Sequence, residues 1–258
     1  LPDIGTGYAQ ATVQSLLDMA VSNDFSEDYS EPHSDCYTEE IALGWRLPAD
    51  GLAETTLMDF TNAITGLKPT DLRDYADYKS ANTDVLTRIV AAVSPKPLAQ
   101  LIEDIVDAAG YEGAFHISRS SDGFPAFSGG GCLSARDLAR FGLLFARAGS
   151  DISDTPFANT AFIAHSLSRE APKLTPPKGW LRYSNHLMTD GRFVGHAGYG
   201  GQFLMVDTLS GTSCAFLSVL ENEAGYDDAY MGVVAQTLRE LCDQLCVHRV
   251  NINNKTES

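Results

Sequence analysis

Two short stretches of the chain hold residue types that could do chemistry. The first is Tyr78-Lys79-Ser80, directly before a run with helical periodicity. A phenol, with an ordinary pKa near ~10, is a poor base on its own. A neighbouring cation and a helix N-terminus favour its ionised form, which could then accept a proton from a nucleophilic hydroxyl. The plainer alternative is a packed aromatic followed by a serine that caps the helix. The second stretch is Gly195-His196-Ala197-Gly198-Tyr199-Gly200-Gly201. Its glycines would let an acyl group approach the backbone closely, and a strand-edge N–H there could donate to an oxyanion. The plainer alternative is a glycine-rich hairpin that only turns the chain.

The elements around these stretches can be read from periodicity and caps. Thr12 caps a helix bearing Val13, Leu16, Leu17 and Ala20, and residues 23–35 form an acidic loop. Thr56 caps a helix with Leu57, Phe60 and Ile64, which Gly66 to Pro69 should end. Val85, Leu86, Ile89, Val90 and Val93 predict an amphipathic helix behind Tyr78. A second stripe at Leu98, Leu101, Ile102, Ile105, Val106 and Ala109 is closed by Gly110. Ser134 and Asp137 resemble a capping box ahead of Leu138, Phe141, Leu144 and Phe145, and Gly149 stops that helix. Residues 151–179 carry mixed, proline-rich signals. The period then changes: 202–207 and 212–220 read as strands of a hairpin, and 227–245 as a final helix. Helices in the middle, then a hairpin and a helix, predict an α+β fold and not alternating βαβ units.

Composition limits the function classes. The 258 residues carry a net charge of −16, with 44% hydrophobic and 20% charged residues, as ordinary globular proteins do. Such an acidic chain repels phosphate backbones and anionic membrane surfaces, so nucleic-acid binding is not expected. No run reaches the ~18 apolar residues of a membrane span. The five cysteines show no CxxC spacing and read as buried small hydrophobes. Neither GxSxG, HExxH nor a phosphate-loop lysine motif occurs, and Gly129-Gly130-Gly131 reads as a loop. No metal or cofactor is expected.

The two stretches, with the segments around them, resemble the serine β-lactamase and penicillin-binding-protein superfamily. Within it they are most similar to class C-like esterases and relatives of 6-aminohexanoate-dimer hydrolase. The residues that carry the resemblance run in order along the chain. They begin with Thr12 to Met19 and Asp24 to Tyr29, and continue with Tyr78-Lys79-Ser80-Ala81-Asn82-Thr83-Asp84. Gly129-Gly130-Gly131 with Ser134-Ala135-Arg136-Asp137-Leu138-Ala139-Arg140-Phe141-Gly142 follows. Gly195-His196-Ala197-Gly198 and Gly201-Gln202-Phe203 complete the series.

The resemblance implies a serine hydrolase working through an acyl-enzyme on a small ester or amide. Tyr78 and Ser80 match the family's Tyr-x-Asn or Tyr-x-Ser element. His196 and Gly198 match its third, strand element, and the N–H of Tyr199 would form part of the oxyanion hole. Tyr183-Ser184-Asn185 also reads Tyr-x-Asn but has no helix behind it. The family's first element, Ser-x-x-Lys, is absent: no serine has a lysine three residues later. One β-lactamase-like domain over 1–258, incomplete at the N-terminus, is therefore expected. It would have a helical lobe over about 8–190, and C-terminal strands and a helix over about 191–248. The alternative is a non-catalytic binding protein or pseudoenzyme on the same scaffold. A bacterial cytoplasmic or periplasmic location would suit either, and the oligomeric state is left open.

Overall fold

The computed structural model describes the chain except positions 2, 32, 52, 67–73, 223–224 and 257–258, with side chains described up to residue 246. A 3-10 turn at Thr6–Tyr8 leads into α1 (Val13–Leu17), α2 (Asp35–Ala42), α3 (Leu57–Ala63), α4 (Ser80–Val93) and α5 (Leu98–Ala109). Then come β1 (His116–Ile117), β2 (Gly131–Cys132), α6 (Ala135–Ala146) and α7 (Thr160–Ser168). Strands β3 (Arg182–Ser184), β4 (Leu187–Thr189), β5 (Phe193–Gly198), β6 (Gln202–Asp207) and β7 (Thr212–Phe216) precede α8 (Asp228–Thr256). The fold is α+β with antiparallel sheets, as expected.

The caps explain several helix starts. Thr12 Oγ1 accepts from the Ser15 N–H at 3.0 Å, and Ser15 Oγ accepts from the Thr12 N–H at 2.8 Å, so α1 has a reciprocal box with a serine as the second member. Thr56 Oγ1 accepts from the Asp59 N–H at 3.0 Å to start α3. Ser134 does accept from the Asp137 N–H at 3.1 Å, but the expected reciprocal bond is replaced. The Asp137 carboxylate instead takes the N–H groups of Glu112 and Gly113 at 2.9 and 3.2 Å, anchoring the turn after α5. Of the expected stop at Gly66 to Pro69, only Gly66 lies within the described residues, at φ +74.

Two compact units emerge, each built from separated stretches of chain. The first comprises Leu1–Asp104, Ala114–Leu133 and Glu170–His186, and the second Ile105–Gly113, Ser134–Arg169 and Leu187–Ser258. The first has a core of Leu16, Val21, Phe25, Leu43, Leu57, Phe60, Ala81 and Val85, with Phe25 and Phe60 edge to face at 5.8 Å. The apolar stripe predicted on α4 is only partly used. Val85 is buried, but Val90 and Val93 are 38% and 75% exposed. Polar residues take the inner face instead: Ser80, Asn82, Asp84, Thr87 and Arg88 are all buried. Arg88 explains part of this, since its Nη1 donates to Thr61 Oγ1 and Asn62 Oδ1 at 2.5 and 2.8 Å. The glycine triplet is also more ordered than a plain loop, because Gly131–Cys132 pairs with His116–Ile117.

In the second unit β4 to β7 form an antiparallel meander in sequence order. Strand alternation gives each sheet face its own helix. Phe203, Met205 and Cys214 pack with Met231, Val234, Leu238 and Cys242 of α8. On the other face α6 comes close through Gly142. A Cβ there would lie 2.1 Å from Ser213 Oγ and 2.9 Å from both Leu204 Cδ1 and Val206 Cγ2. The hairpin and final helix begin where periodicity placed them, but β7 ends at Phe216, short of the expected Leu220, and α8 runs past Leu245 to Thr256. Helix α7 matches no expected element: it lies in the stretch of mixed signals, its start marked by Asn159, whose side chain accepts from the Phe162 N–H.

Candidate active site

Tyr78 belongs to the first unit, and the segment carrying it is held from several directions. The Ala76 N–H donates to the Lys173 carbonyl at 2.8 Å and the Asp77 N–H to the Met19 carbonyl at 2.7 Å. Lys79 is buried; its ammonium pairs with the Asp77 carboxylate and donates to the Val21 carbonyl at 3.3 Å. The half-buried Tyr78 ring meets the fully buried Tyr183 ring edge to face at 6.1 Å. The second Tyr-x-Asn match, which sequence spacing sets aside, thus supplies the wall against which Tyr78 packs. No local signal could show this, since about a hundred residues separate them.

Behind α4's first turn lies a set of buried carboxyls. The Ser80 N–H donates to Glu27 Oε2 at 2.9 Å. Ser80 Oγ lies 2.9 Å from Glu27 Oε2 and 2.5 Å from Glu39 Oε2. A hydroxyl has one proton, so one of those two contacts must be donated by a carboxylic acid. Glu27 also accepts from the Tyr29 hydroxyl, giving it three donors. Glu39 is pushed well above the usual carboxyl range by burial, then by the charges of Asp84 and Glu27. Burial raises Glu27 as well, but its three donors and Lys79 oppose that rise, so Glu39 is the more strongly raised of the two and the better placed to donate to Ser80. Burial pushes the Asp84 carboxyl up to about 6.

This neighbourhood corrects one sequence expectation. The rise from burial outweighs any help that Lys79, paired with Asp77, gives the ionised form of the Tyr78 phenol. Burial raises the phenol first, and Glu27, Glu39 and Asp84 raise it further. The Tyr78 phenol is therefore held in its neutral form at pH 7. Glu39 was not legible as a site residue, because the polar α2 that carries it has no apolar stripe and its N-cap Ser34 makes no side-chain cap bond. Glu27 and Asp84 stand inside the resemblance segments, but nothing local marks Glu27 as a partner of Ser80 or Asp84 as a neighbour of Glu39.

His196, Gly198 and Tyr199 belong to the second unit, at the end of β5 and its turn into β6. His196 pairs with Leu204 and Gly198 with Gln202. The Gly201 N–H donates to the Gly198 carbonyl at 3.2 Å, closing the turn. Gly200 and Gly201 take φ +78 and +88, which side chains disfavour. Ser218 Oγ donates to the Gly201 carbonyl at 2.8 Å, and the Gly200 N–H to the Gly225 carbonyl at 2.8 Å, so the turn is pinned from both flanks. Gly195 has a packing reason of its own: a Cβ there would lie 1.9 Å from the Leu204 carbonyl oxygen. The half-buried His196 places Nδ1 2.7 Å from the Ala197 carbonyl, which requires a proton on Nδ1. Burial lowers its pKa, partly offset by that hydrogen bond, so the ring is neutral at pH 7. The Tyr199 side chain is 60% exposed.

A family model places these features in context. The chain belongs to the Beta-lactamase family, whose model matches residues 5–237. It is 33% identical over 141 residues to the 6-aminohexanoate-dimer hydrolase of Paenarthrobacter ureafaciens, covering 54% of this chain and 34% of that protein. Among solved structures, one from Bacillus anthracis named "Putative 6-aminohexanoate-dimer hydrolase" matches with a TM-score of 0.77 at 20% identity, over 93% of this chain and 63% of that one. A D-stereospecific amidohydrolase from Streptomyces sp. matches with a TM-score of 0.54 at 15% identity, over 88% of this chain and 72% of that one. At these identities the structures speak for the fold alone. The chain spans about a third of the length of the curated relative, at 34%. Among the described residues no single helix is long and apolar enough to cross a membrane.

Proposed function

We propose that this chain forms the proton-transfer and oxyanion-binding part of a serine hydrolase that cleaves a small ester or amide through an acyl-enzyme. The nucleophile is a serine in a Ser-x-x-Lys segment outside these 258 residues, since none of the serines here has that spacing. The observation that carries the reading is Tyr78: a half-buried phenol, fixed immediately before α4, in a chain of this family. The serine attacks the carbonyl carbon, and its proton passes to the lysine. The tetrahedral oxyanion receives a hydrogen bond from the Tyr199 N–H. As the intermediate collapses, the neutral Tyr78 gives its proton to the leaving oxygen or nitrogen, and water then releases the acyl group by the reverse relay. Ser80 acts as a positioning residue in this scheme, tying the first turn of α4 to Glu27 and Glu39. His196 and Gly198 take the place of the family's strand element in this scheme.

The charge pattern sets the substrate class. His196 is neutral at pH 7 and the chain carries −16, so neither that ring nor the net charge attracts a carboxylate. The full-length protein should therefore turn over a short-chain acetate ester faster than a chromogenic cephalosporin, in parallel assays at pH 7. Faster cephalosporin turnover would overturn this choice of substrate.

A further inference from the structure

Two buried thiols that the mechanism proposed above does not use meet in the second unit. Cys214 lies on β7 and Cys242 on α8, inside the cluster of Phe193, Phe203, Met231, Val234 and Leu238. Their Sγ atoms are 3.7 Å apart and share an S–H···S hydrogen bond. A disulfide needs about 2.05 Å, so each sulfur would move by roughly 1 Å or less. We propose that Cys214 and Cys242 are a cross-linking site, where an intramolecular disulfide fastens α8 to the strand beneath it.

The two sulfurs have different roles in forming it. Cys214 keeps 9% exposure while Cys242 has none, so Cys214 meets an oxidant first. The hydrogen bond shared with Cys242 lowers the Cys214 thiol against the rise from burial, so Cys214 is the sulfur that ionises more readily. Its thiolate attacks a small-molecule disulfide such as oxidised glutathione, forming a mixed disulfide and releasing one glutathione thiolate. Cys242 then loses its proton and attacks Cys214 Sγ, and the second glutathione leaves. Two protein thiols are oxidised by two electrons, and one glutathione disulfide is reduced to two thiols. The bond would close a loop between positions 28 apart. It would constrain the unfolded chain and should raise Tm by about 5–10 °C.

The test equilibrates the protein across a series of glutathione ratios, blocks remaining thiols with N-ethylmaleimide, and maps the unreduced digest by mass spectrometry. The expected result is a peptide joining positions 214 and 242, three blocked thiols of the five present, and the rise in Tm. Cys242→Ser should abolish the cross-link and the rise, whereas Cys246→Ser, one turn further along α8, should leave both. Five blocked thiols at every ratio would overturn the proposal. So would glutathione retained on Cys214 without a cross-link, or a cross-link to Cys246. The wild-type map decides even if Cys242→Ser fails to fold, and it reads no hydrolase activity.

Discussion

In the full-length protein, Tyr78→Phe is expected to lower the acylation rate by about 10²–10⁴-fold, the usual worth of a positioned proton carrier. The substitution keeps the ring and its edge-to-face contact with Tyr183 at 6.1 Å. It removes only the hydroxyl, so Tm should move by no more than about 2 °C for a domain of this size. Because burial, and then the nearby carboxyls, keep the phenol neutral, the loss should grow as the leaving group becomes more basic, since protonating it is the phenol's task. Burst kinetics on acetate esters of phenols and of alcohols would measure this. Near-normal acylation by Tyr78→Phe would remove Tyr78 from the mechanism.

The largest expected effect on stability lies elsewhere, in the second unit. Asp207 ends β6 and is fully buried. It accepts from Arg192 Nε and Nη2 at 3.0 and 2.6 Å, from Ser210 Oγ at 2.8 Å and from the Leu209 N–H at 3.0 Å. Burial opposes its ionisation, but Arg192, Ser210 and that N–H outweigh it and hold the carboxyl at about 2. Removing one partner of such a pair costs about 3–5 kcal/mol, because the other is left uncompensated. Asp207→Ala should reach that range in urea unfolding at pH 7. The pH dependence follows from a folded pKa below the unfolded one near ~3.9. The stabilisation is complete above the unfolded value and is lost as pH falls through about 2. The variant should therefore lose stability less steeply than wild type over that acid range. A cost under about 1 kcal/mol would show that Arg192 is satisfied equally well by Asp243, its 2.7 Å neighbour.

Local patterns carried much of the fold. Thr12, Thr56 and Ser134 mark real helix starts, and the β6–β7 hairpin and α8 exist where expected, although α8 buries Val234 and Leu238 and leaves Val233, Leu241 and Leu245 exposed. The site was legible only where residues are neighbours in sequence. Tyr78, His196 and Tyr199 could be named, but Glu39, Tyr183 and the pairing of Glu27 with Ser80 depend on contacts across 41 to 105 positions. Lys79 shows the same limit in reverse. Sequence adjacency made it the cation for Tyr78, while its buried side chain turned to Asp77 and the Val21 carbonyl. On α4 the buried polar residues obscured the face that an apolar stripe alone would choose.

The decisive measurement is active-site labelling with a fluorophosphonate, comparing the 258-residue chain with the full-length protein and mapping any adduct by mass spectrometry. The expected result is stoichiometric labelling of the full-length protein at the serine of a Ser-x-x-Lys segment, slowed by Tyr78→Phe, and no labelling of the shorter chain. An adduct at Ser80 or any other serine of these 258 residues would show that the nucleophile lies here instead. An unlabelled full-length protein would contradict acyl-enzyme chemistry and leave a binding protein on a hydrolase scaffold.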